Sequence, residues 1–360
     1  VIRALLAKAY AGLSTRQRSR LGSRKSQKVI GIADVSTAFL HADMDEDIYV
    51  YPPPEWRGEE GETSDTHVWK LKKSLYGLRC SPRQWGDHLR GVLEKLGFKQ
   101  STLEAALYIK EGTDIAIHVD DLLVIGTRSE VQQFFEDLKR HVLLKEEIIE
   151  KYKEYEFLGR TLCWTDEGII WTTGPKYVER VLEHFSDLNI KEEDITGKCW
   201  EINHEDESEL DKEKHTRYRS GIGKLLWMDR PDINYPVRRL AQKSNKPNLT
   251  DWRRLVKVLS YLRKYKHMVQ IIKPIKLPKA SFQPENYSLM GFADSDWAGQ
   301  EGRKSTTGTA IYMFYEGCWF LVDWTCAKQE SVALSSSEAE YYAMCYVAVM
   351  CWGCRNTLRE

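Results

Sequence analysis

The sequence lacks several features that would have narrowed its class at once. No uninterrupted apolar run approaches the ~18 residues of a membrane-spanning helix, which excludes a transmembrane span of that kind. Net charge is missing: 53 Lys and Arg balance 53 Asp and Glu. On its face this argues against a nucleic-acid partner, because phosphate binding draws on excess positive charge. Cys351 and Cys354 form a C-x-x-C with no second pair spaced to complete a four-ligand zinc site, and the other six of the eight Cys are scattered, as reduced thiols are in a large intracellular chain. No signal-peptide pattern, internal repeat or low-complexity tract is present. Acid is absent before Asp34, whereas eight basic residues (Arg3, Lys8, Arg16, Arg18, Arg20, Arg24, Lys25 and Lys28) precede it. An acid-free start with Arg and Ser is one form of a transit peptide. Residues 1–13 are also apolar enough to be a packed helix, and the missing initiator Met suggests a cut fragment.

Core material, by contrast, is plentiful. With 42% hydrophobic residues, 12 Trp and 18 Tyr in 360 residues, the chain can fill two or three globular domains. Charge then divides it. Residues 201–213 hold seven acids (Glu201, Glu205, Asp206, Glu207, Glu209, Asp211 and Glu213) against Lys212 alone, which reads as a solvated linker or long loop. Residues 217–266 invert this, with 14 basic residues against three acids (Asp229, Asp232 and Asp251), a local net charge of +11. Pro274, Pro278 and Pro284 mark a second boundary at 273–286.

Apolar periodicity predicts strands over 29–33 and 48–51, a helix over 83–96, two strands over 115–125 joined at a tight turn, and helices over 129–143 and 175–185. Over 251–265, Trp252, Leu255, Val256, Leu259 and Leu262 share one helical face and Arg253, Lys257 and Lys264 another. Such a basic side is either a solvated face or a phosphate track. The last part opens with a strand over 287–293, continues with strands near 309–314 and 319–322, and ends in a helix from about 336.

Three carboxylates stand out. In Ile115-Ala-Ile-His-Val-Asp-Asp-Leu-Leu-Val-Ile125 two adjacent acids interrupt an apolar run. On one continuous buried strand they would point to opposite faces and at least one would be desolvated at a cost of several kcal/mol. A hairpin removes the conflict by placing both at the turn, where Asp pairs are common and carry no function by themselves. Asp34 shifts the balance, because it too ends a short apolar strand and leads into a compact turn before Phe39. Hard oxygen donors without a His or Cys cluster favour Mg²⁺ or Mn²⁺ over Zn²⁺. Two such ions roughly 3.5–4 Å apart serve in-line phosphoryl transfer.

Together with their flanking segments, these acids carry a family resemblance. Asp34-Val-Ser-Thr-Ala-Phe-Leu-His-Ala-Asp43 with Ile48-Tyr-Val-Tyr-Pro-Pro53 resembles the first catalytic block of Ty1/copia-type retrotransposon reverse transcriptases. Ser74-Leu-Tyr-Gly-Leu-Arg-Cys-Ser-Pro-Arg-Gln-Trp85 is similar to the next block, His118-Val-Asp-Asp121 to the metal-binding hairpin, and Phe157-Leu-Gly159 to the primer-gripping segment. Tyr218-Arg-Ser-Gly221, Arg230-Pro-Asp-Ile-Asn-Tyr235 and Leu259-Ser-Tyr-Leu262 resemble the connecting region. Phe292-Ala-Asp-Ser-Asp-Trp-Ala-Gly299, Arg303-Lys-Ser-Thr-Thr-Gly308 and Ser335-Ser-Ser-Glu-Ala-Glu-Tyr341 resemble the ribonuclease H domain. The blocks follow the family's order over nearly the whole chain.

The resemblance implies an α+β protein: a right-hand polymerase palm, an antiparallel sheet backed by helices, with partial fingers over 1–165; a thumb and connection region over 166–285, with the acidic linker inside it; and a C-terminally truncated α/β ribonuclease H-like domain over 286–360. It implies RNA-directed DNA polymerase activity by two-metal nucleotidyl transfer. The alternative is a catalytically inactive nucleic-acid-binding relic of the same polyprotein. Carried over residue by residue, Asp34, Asp120 and Asp121 hold Mg²⁺ or Mn²⁺ in the palm. Phe39 matches the aromatic that excludes a ribose 2′-hydroxyl, and Gly77, Ser81 and Pro82 match the loop and helix start under the template-nucleotide pair. Asp294 and Glu340 match ribonuclease H metal ligands, with Asp296 and Glu338 as neighbours easily confused with them. His118 stands beside the nucleotide site where the family more often has Tyr. Because the chain stops at Glu360, before a further Asp of the family's ribonuclease site, hybrid cleavage is expected to be weak or absent. The implied partners are RNA template, DNA primer, RNA/DNA hybrid, deoxynucleoside triphosphates and the polyprotein's integrase and protease, with no membrane. The implied location is intracellular, in a cytoplasmic particle or the nucleus, and not secreted.

Overall fold

The computed structural model describes residues 1–14, 28–58, 62–194, 205–228, 230–275 and 287–359. Three features of the sequence fall outside these in whole or part: residues 15–27 of the acid-free start, residues 201–204 of the acidic stretch, and residues 276–286 of the proline-rich boundary. The chain forms two compact units. One comprises Val1–Leu5, Gly12–Ile149 and Thr357–Glu360; the other comprises Leu6–Ala11 and Glu150–Asn356. The first helix, α1 (Ile2–Ser14), is packed, with Leu5, Leu6, Ala7, Ala9 and Ala11 all buried.

The first unit is built on a six-stranded sheet. Along the chain come β1 (Lys28–Val35), α2 (Ala38–His41), the small pair β2 (Tyr49–Val50) and β3 (Trp69–Lys70), α3 (Ser81–Lys95), β4 (Lys99–Gln100), β5 (Leu107–Lys110), β6 (Thr113–His118), β7 (Asp121–Thr127), α4 (Arg128–Lys139) and β8 (Leu144–Ile148). The spatial order is β4-β5-β6-β7-β1-β8, and every pairing is antiparallel. Trp85, Leu89, Val92 and Leu93 of α3 and Val131, Phe134, Phe135 and Leu138 of α4 bury themselves with Val29, Ala33, Ile115, Leu122 and Val124 of the central strands. The four-residue apolar spacing on each helix supplies that face. α4 starts at a capping box: the Thr127 hydroxyl accepts from the Glu130 N–H, and the Glu130 carboxylate accepts from the Thr127 N–H at 2.8 Å. Helix and sheet approach so closely that a Cβ on Gly31 would lie 2.7 Å from both Phe135 and Val131. An antiparallel sheet backed by two helices is the α+β architecture expected from the sequence.

The second unit combines two sheets and five further helices among its described residues. β9 (Glu154–Phe157), β10 (Arg160–Trp164), β11 (Ile169–Thr172) and the distant β12 (Ile271–Ile272) form an antiparallel sheet in the order β12-β11-β10-β9. α5 (Pro175–Glu183), α6 (Lys212–Trp227), α7 (Pro231–Gln242) and α8 (Leu249–Lys264) share a core that includes Phe185, Tyr218, Leu225, Val237, Leu240, Leu255 and Leu259. The apolar face predicted for 251–265 is therefore the inner face of α8. The strands β13 (Tyr287–Asp296), β14 (Thr306–Tyr315) and β15 (Cys318–Lys328) make an antiparallel sheet, followed by the long α9 (Ser336–Arg359).

The described part of the acidic stretch is not loose. Glu205 pairs with Arg254 at 2.9 Å, Glu209 with Lys246 at 2.5 Å and Asp206 with Arg253 at 3.6 Å. Asp206 accepts the Thr250 N–H through its carbonyl, and Asp211 caps α6 through the Lys214 N–H at 2.8 Å. Opposite charge draws the acids onto the basic segment, so three of its cations are paired within the chain.

Candidate functional site

Asp34, Asp120 and Asp121 lie at one end of the β1–β7–β6 strands. Asp34 lies directly across from Asp121 in the antiparallel register, the last pair of the β1–β7 ladder. Opposed residues project from the same face with Cβ atoms about 4.5–5.5 Å apart, and like charges so placed repel. Asp120 occupies the two-residue turn between β6 and β7, which closes on the pair His118–Asp121. Val119, the other turn residue, has φ 57°. That left-handed conformation is rare for a β-branched residue and costs on the order of 1–3 kcal/mol. The surroundings hold it. The Val35 N–H donates to the Asp120 carbonyl at 2.9 Å, and the Trp85 indole N–H donates to the Val119 carbonyl at 2.7 Å.

Asp34, Asp120 and Asp121 are all half-buried, and His118 and Val119 are exposed. Among the described residues no three His, Cys, Asp or Glu side chains converge closely enough to hold a metal ion. The donor set nevertheless fits Mg²⁺ or Mn²⁺: these ions dehydrate reluctantly and use one or two carboxylates together with substrate phosphates, not a closed protein cage. Two like charges held opposite each other, with a third at the adjoining turn, favour a bound cation, and Asp34 also faces Lys145 across the β1–β8 pairing.

The loop before α3 lies next to Phe39. Phe39, half-buried on α2, packs edge-on against Tyr76 with ring centroids 4.7 Å apart. Gly77 follows at φ 95°, exposed, and a Cβ placed on it would meet nothing within 4 Å, so the backbone conformation and not crowding demands glycine there. Ser81 is fully buried, and its hydroxyl donates to the Leu75 carbonyl at 2.7 Å and accepts from the Leu75 N–H at 3.2 Å, which clasps the loop. Pro82 sits exposed in the first turn of α3, where a missing N–H costs nothing.

Sequence reasoning missed the layer beneath. Arg83 and Gln84 both bind Asp45, and Arg83, through its hydrogen bonds, is the main cause holding the Asp45 carboxyl below its usual range. Trp85 is 2% exposed and stacks on His88 at 5.9 Å. Burial, followed by the positive charges of Lys73 and His41, pushes the His88 pKa down. The detectable signal was a Trp on the apolar face of a predicted helix, whose N–H must find a partner.

In the second unit, Asp294 lies near the end of β13 and is exposed, while Glu340 of α9 accepts the Ser295 N–H at 3.1 Å. The fold thus brings Glu340 to the residue beside Asp294. Glu338 is engaged elsewhere: its carboxylate accepts from the Leu334 N–H at 2.7 Å and from the Tyr342 hydroxyl at 2.9 Å, and its own N–H donates to Ser335. That is a helix-start role. Asp294 and Asp296 line a cavity of about 380 Å³ with Pro231, Asn234 and Tyr235 of α7.

Comparison with known proteins places the chain in a family. Residues 21–195 match the family described as reverse transcriptase (RNA-dependent DNA polymerase). The chain is 30% identical over 236 residues to a putative transposon Ty5-1 protein of Saccharomyces cerevisiae, covering 64% of this chain and 74% of that one. It is 28% identical over 329 residues to the retrovirus-related Pol polyprotein from transposon TNT 1-94 of Nicotiana tabacum, covering 86% of this chain. The chain spans 23% of that polyprotein's length. A crystal structure of prototype foamy virus protease-reverse transcriptase aligns at 10% identity over 89% of this chain and 55% of its own, with a TM-score of 0.25, too loose a likeness to inform the fold. The protein belongs to the reverse transcriptase family, in the form carried by the Pol polyproteins of Ty1/copia-type retrotransposons.

Proposed function

We propose that the chain is an RNA-directed DNA polymerase whose palm site is Asp34, Asp120 and Asp121. The observation that carries this reading is the register: Asp34 opposite Asp121 at the strand end, with Asp120 in the adjoining turn. Divalent cations bound there would supply charge stabilisation for in-line displacement at the nucleotide α-phosphate. The three carboxylates would hold those cations, and the strained turn would fix the direction of Asp120. Phe39, braced by Tyr76, would close the site to a ribose 2′-hydroxyl, and the Gly77 turn with the Ser81 clasp and Pro82 would support the template-nucleotide pair. His118, exposed at the hairpin, would border the nucleotide site. RNA template, DNA primer and deoxynucleoside triphosphates are the substrates on this reading.

The three-part division at 165 and 285 goes with it, the last part being a ribonuclease H-like domain with Asp294 and Glu340 as metal-binding acids. The Glu340 bond beside Asp294 supports that pair over Glu338. The reading also carries the polyprotein context of integrase and protease and a place inside the cell. Among the described residues no helix is long and apolar enough to cross a membrane. Primer extension on an RNA template with Mg²⁺ tests the proposal. Incorporation of deoxynucleotides that Asp120→Asn abolishes is expected; no incorporation by the parent chain, or incorporation indifferent to Asp120, refutes it.

A further inference from the structure

We infer that Trp85 is a positioning residue for Asp120, acting through the peptide that joins Val119 to Asp120. The inference rests on the palm reading above. Asp120 is flanked by two carbonyls, Val119 O before it and its own O after it. Each accepts a hydrogen bond from outside the hairpin, one from the Trp85 indole at 2.7 Å and the other from the Val35 N–H at 2.9 Å. With both flanking peptide planes fixed, the Cα–Cβ direction of Asp120 is fixed as well.

The turn needs that restraint. A two-residue hairpin with a positive φ at its first position is the geometry glycine serves best, yet Val119 occupies it at φ 57°. The hairpin cannot be relied on to stay there through its own ladder, because Val119 is exposed and the turn peptides lie beyond the last pair, His118–Asp121. Trp85 is well placed to impose the restraint. Its ring is anchored in the core shared by α3, α4 and the sheet, with Leu89, Val92 and Leu93 on the same helix, and its flank is closed by the His88 ring at 24° to its plane. His41 approaches it at 6.2 Å. A buried aromatic thus presents one polar atom, the indole N–H, to the strained Val119 peptide. In metal sites, groups that orient a ligand through a hydrogen bond typically contribute about 10- to 100-fold in metal affinity.

The experiment reads Mn²⁺ binding to the whole chain by electron paramagnetic resonance, without substrate, beside the Mg²⁺ concentration that half-activates primer extension. The variants are Trp85→Phe, Asp120→Asn and Leu93→Ala, the last a core control on the same helix. Trp85→Phe is expected to weaken Mn²⁺ about ten-fold and to raise the Mg²⁺ midpoint in parallel, whereas Leu93→Ala lowers thermal stability but leaves Mn²⁺ affinity at the parent value. Replacement of Trp85 by the isosteric benzothienyl-alanine, which lacks only the N–H, gives the same shift if the phenylalanine variant fails to fold. Parent-like Mn²⁺ affinity in both Trp85 variants, with binding lost in Asp120→Asn, overturns the positioning role and leaves the palm reading standing. Binding unaffected by Asp120→Asn overturns both.

Discussion

The Arg230-Pro-Asp-Ile-Asn-Tyr235 block resembles a family motif, and its two charged residues have a structural task that can be measured. Arg230 is 5% exposed immediately before α7. Its guanidinium donates to both Asp232 oxygens, at 2.8 and 2.5 Å, and to the carbonyls of Tyr265 and Met268 at 3.2 and 3.3 Å. The Tyr261 hydroxyl completes the network at Asp232 Oδ2, 3.0 Å away, and burial followed by the Asp232 charge pushes the Tyr261 pKa up to about 12. The network ties the start of α7 to the end of α8. Burial would raise the Asp232 pKa, but the Arg230 hydrogen bonds and charge outweigh it and hold the carboxyl below its ordinary value. Arg230→Met strands that carboxylate and orphans two carbonyls, a loss of about 3–5 kcal/mol for a broken buried pair. Urea unfolding followed by Trp fluorescence would register it, with Trp252 reporting from the same core. Adding Asp232→Asn removes the stranded charge and recovers part of the loss, so the double variant is more stable than additivity predicts. A loss under about 1 kcal/mol for Arg230→Met, or strict additivity, would refute the reasoning.

Three further outcomes follow from the packing. Gly31→Ala forces a methyl to within 2.7 Å of Phe135 and Val131 and is expected to destabilise the first unit by about 1–3 kcal/mol; a thermal melt matching the parent contradicts the close approach of α4. Glu338→Ala is expected to cost about 0.5–2 kcal/mol as a lost helix-start contact without changing cleavage of an RNA/DNA hybrid, whereas Glu340→Ala abolishes whatever cleavage the chain has; the reverse pattern in a hybrid-nicking assay overturns the assignment. Burial lowers the pKa of both His88 and His184. The unfolded chain therefore takes up protons at these sites before the folded one does, and stability falls as pH drops below the unfolded value of about 6.5 toward the depressed folded values. Denaturation midpoints that stay flat from pH 7 to 5 in the parent, or that fall no less steeply in His88→Gln, contradict this.

Much of the site is legible in the sequence because its signals are local. An acid at the end of an apolar strand and an Asp pair inside an apolar run each force a choice of turn or desolvation within a few residues, and Asp34, Asp120 and Asp121 do lie at strand ends. The Ser81-Pro82 helix start is legible in the same way. The short strands β9 to β11 and the helices α6 and α7 escape periodicity. β12 pairs with β11 from about a hundred residues away in sequence, and α7 carries Pro236 in its interior, which reads locally as a helix breaker. The described acids at 205–211 read as solvated but are paired, because their partners Lys246, Arg253 and Arg254 lie some forty residues on and no window sees both.

Residue order alone marks the candidate side chains and the elements that bear them, since strand ends, caps and apolar faces are set by neighbours along the chain. How they meet is a matter of tertiary packing. The β1–β7 register puts Asp34 opposite Asp121 because a shift of one residue would turn every buried side chain of β1 to the other face. The packing of α3 brings an indole N–H to the strained Val119 peptide, and α9 carries Glu340 rather than Glu338 to the end of β13. These are contacts between residues far apart in sequence, chosen by burial and hydrogen-bond satisfaction summed over the whole core, and no local pattern encodes that sum.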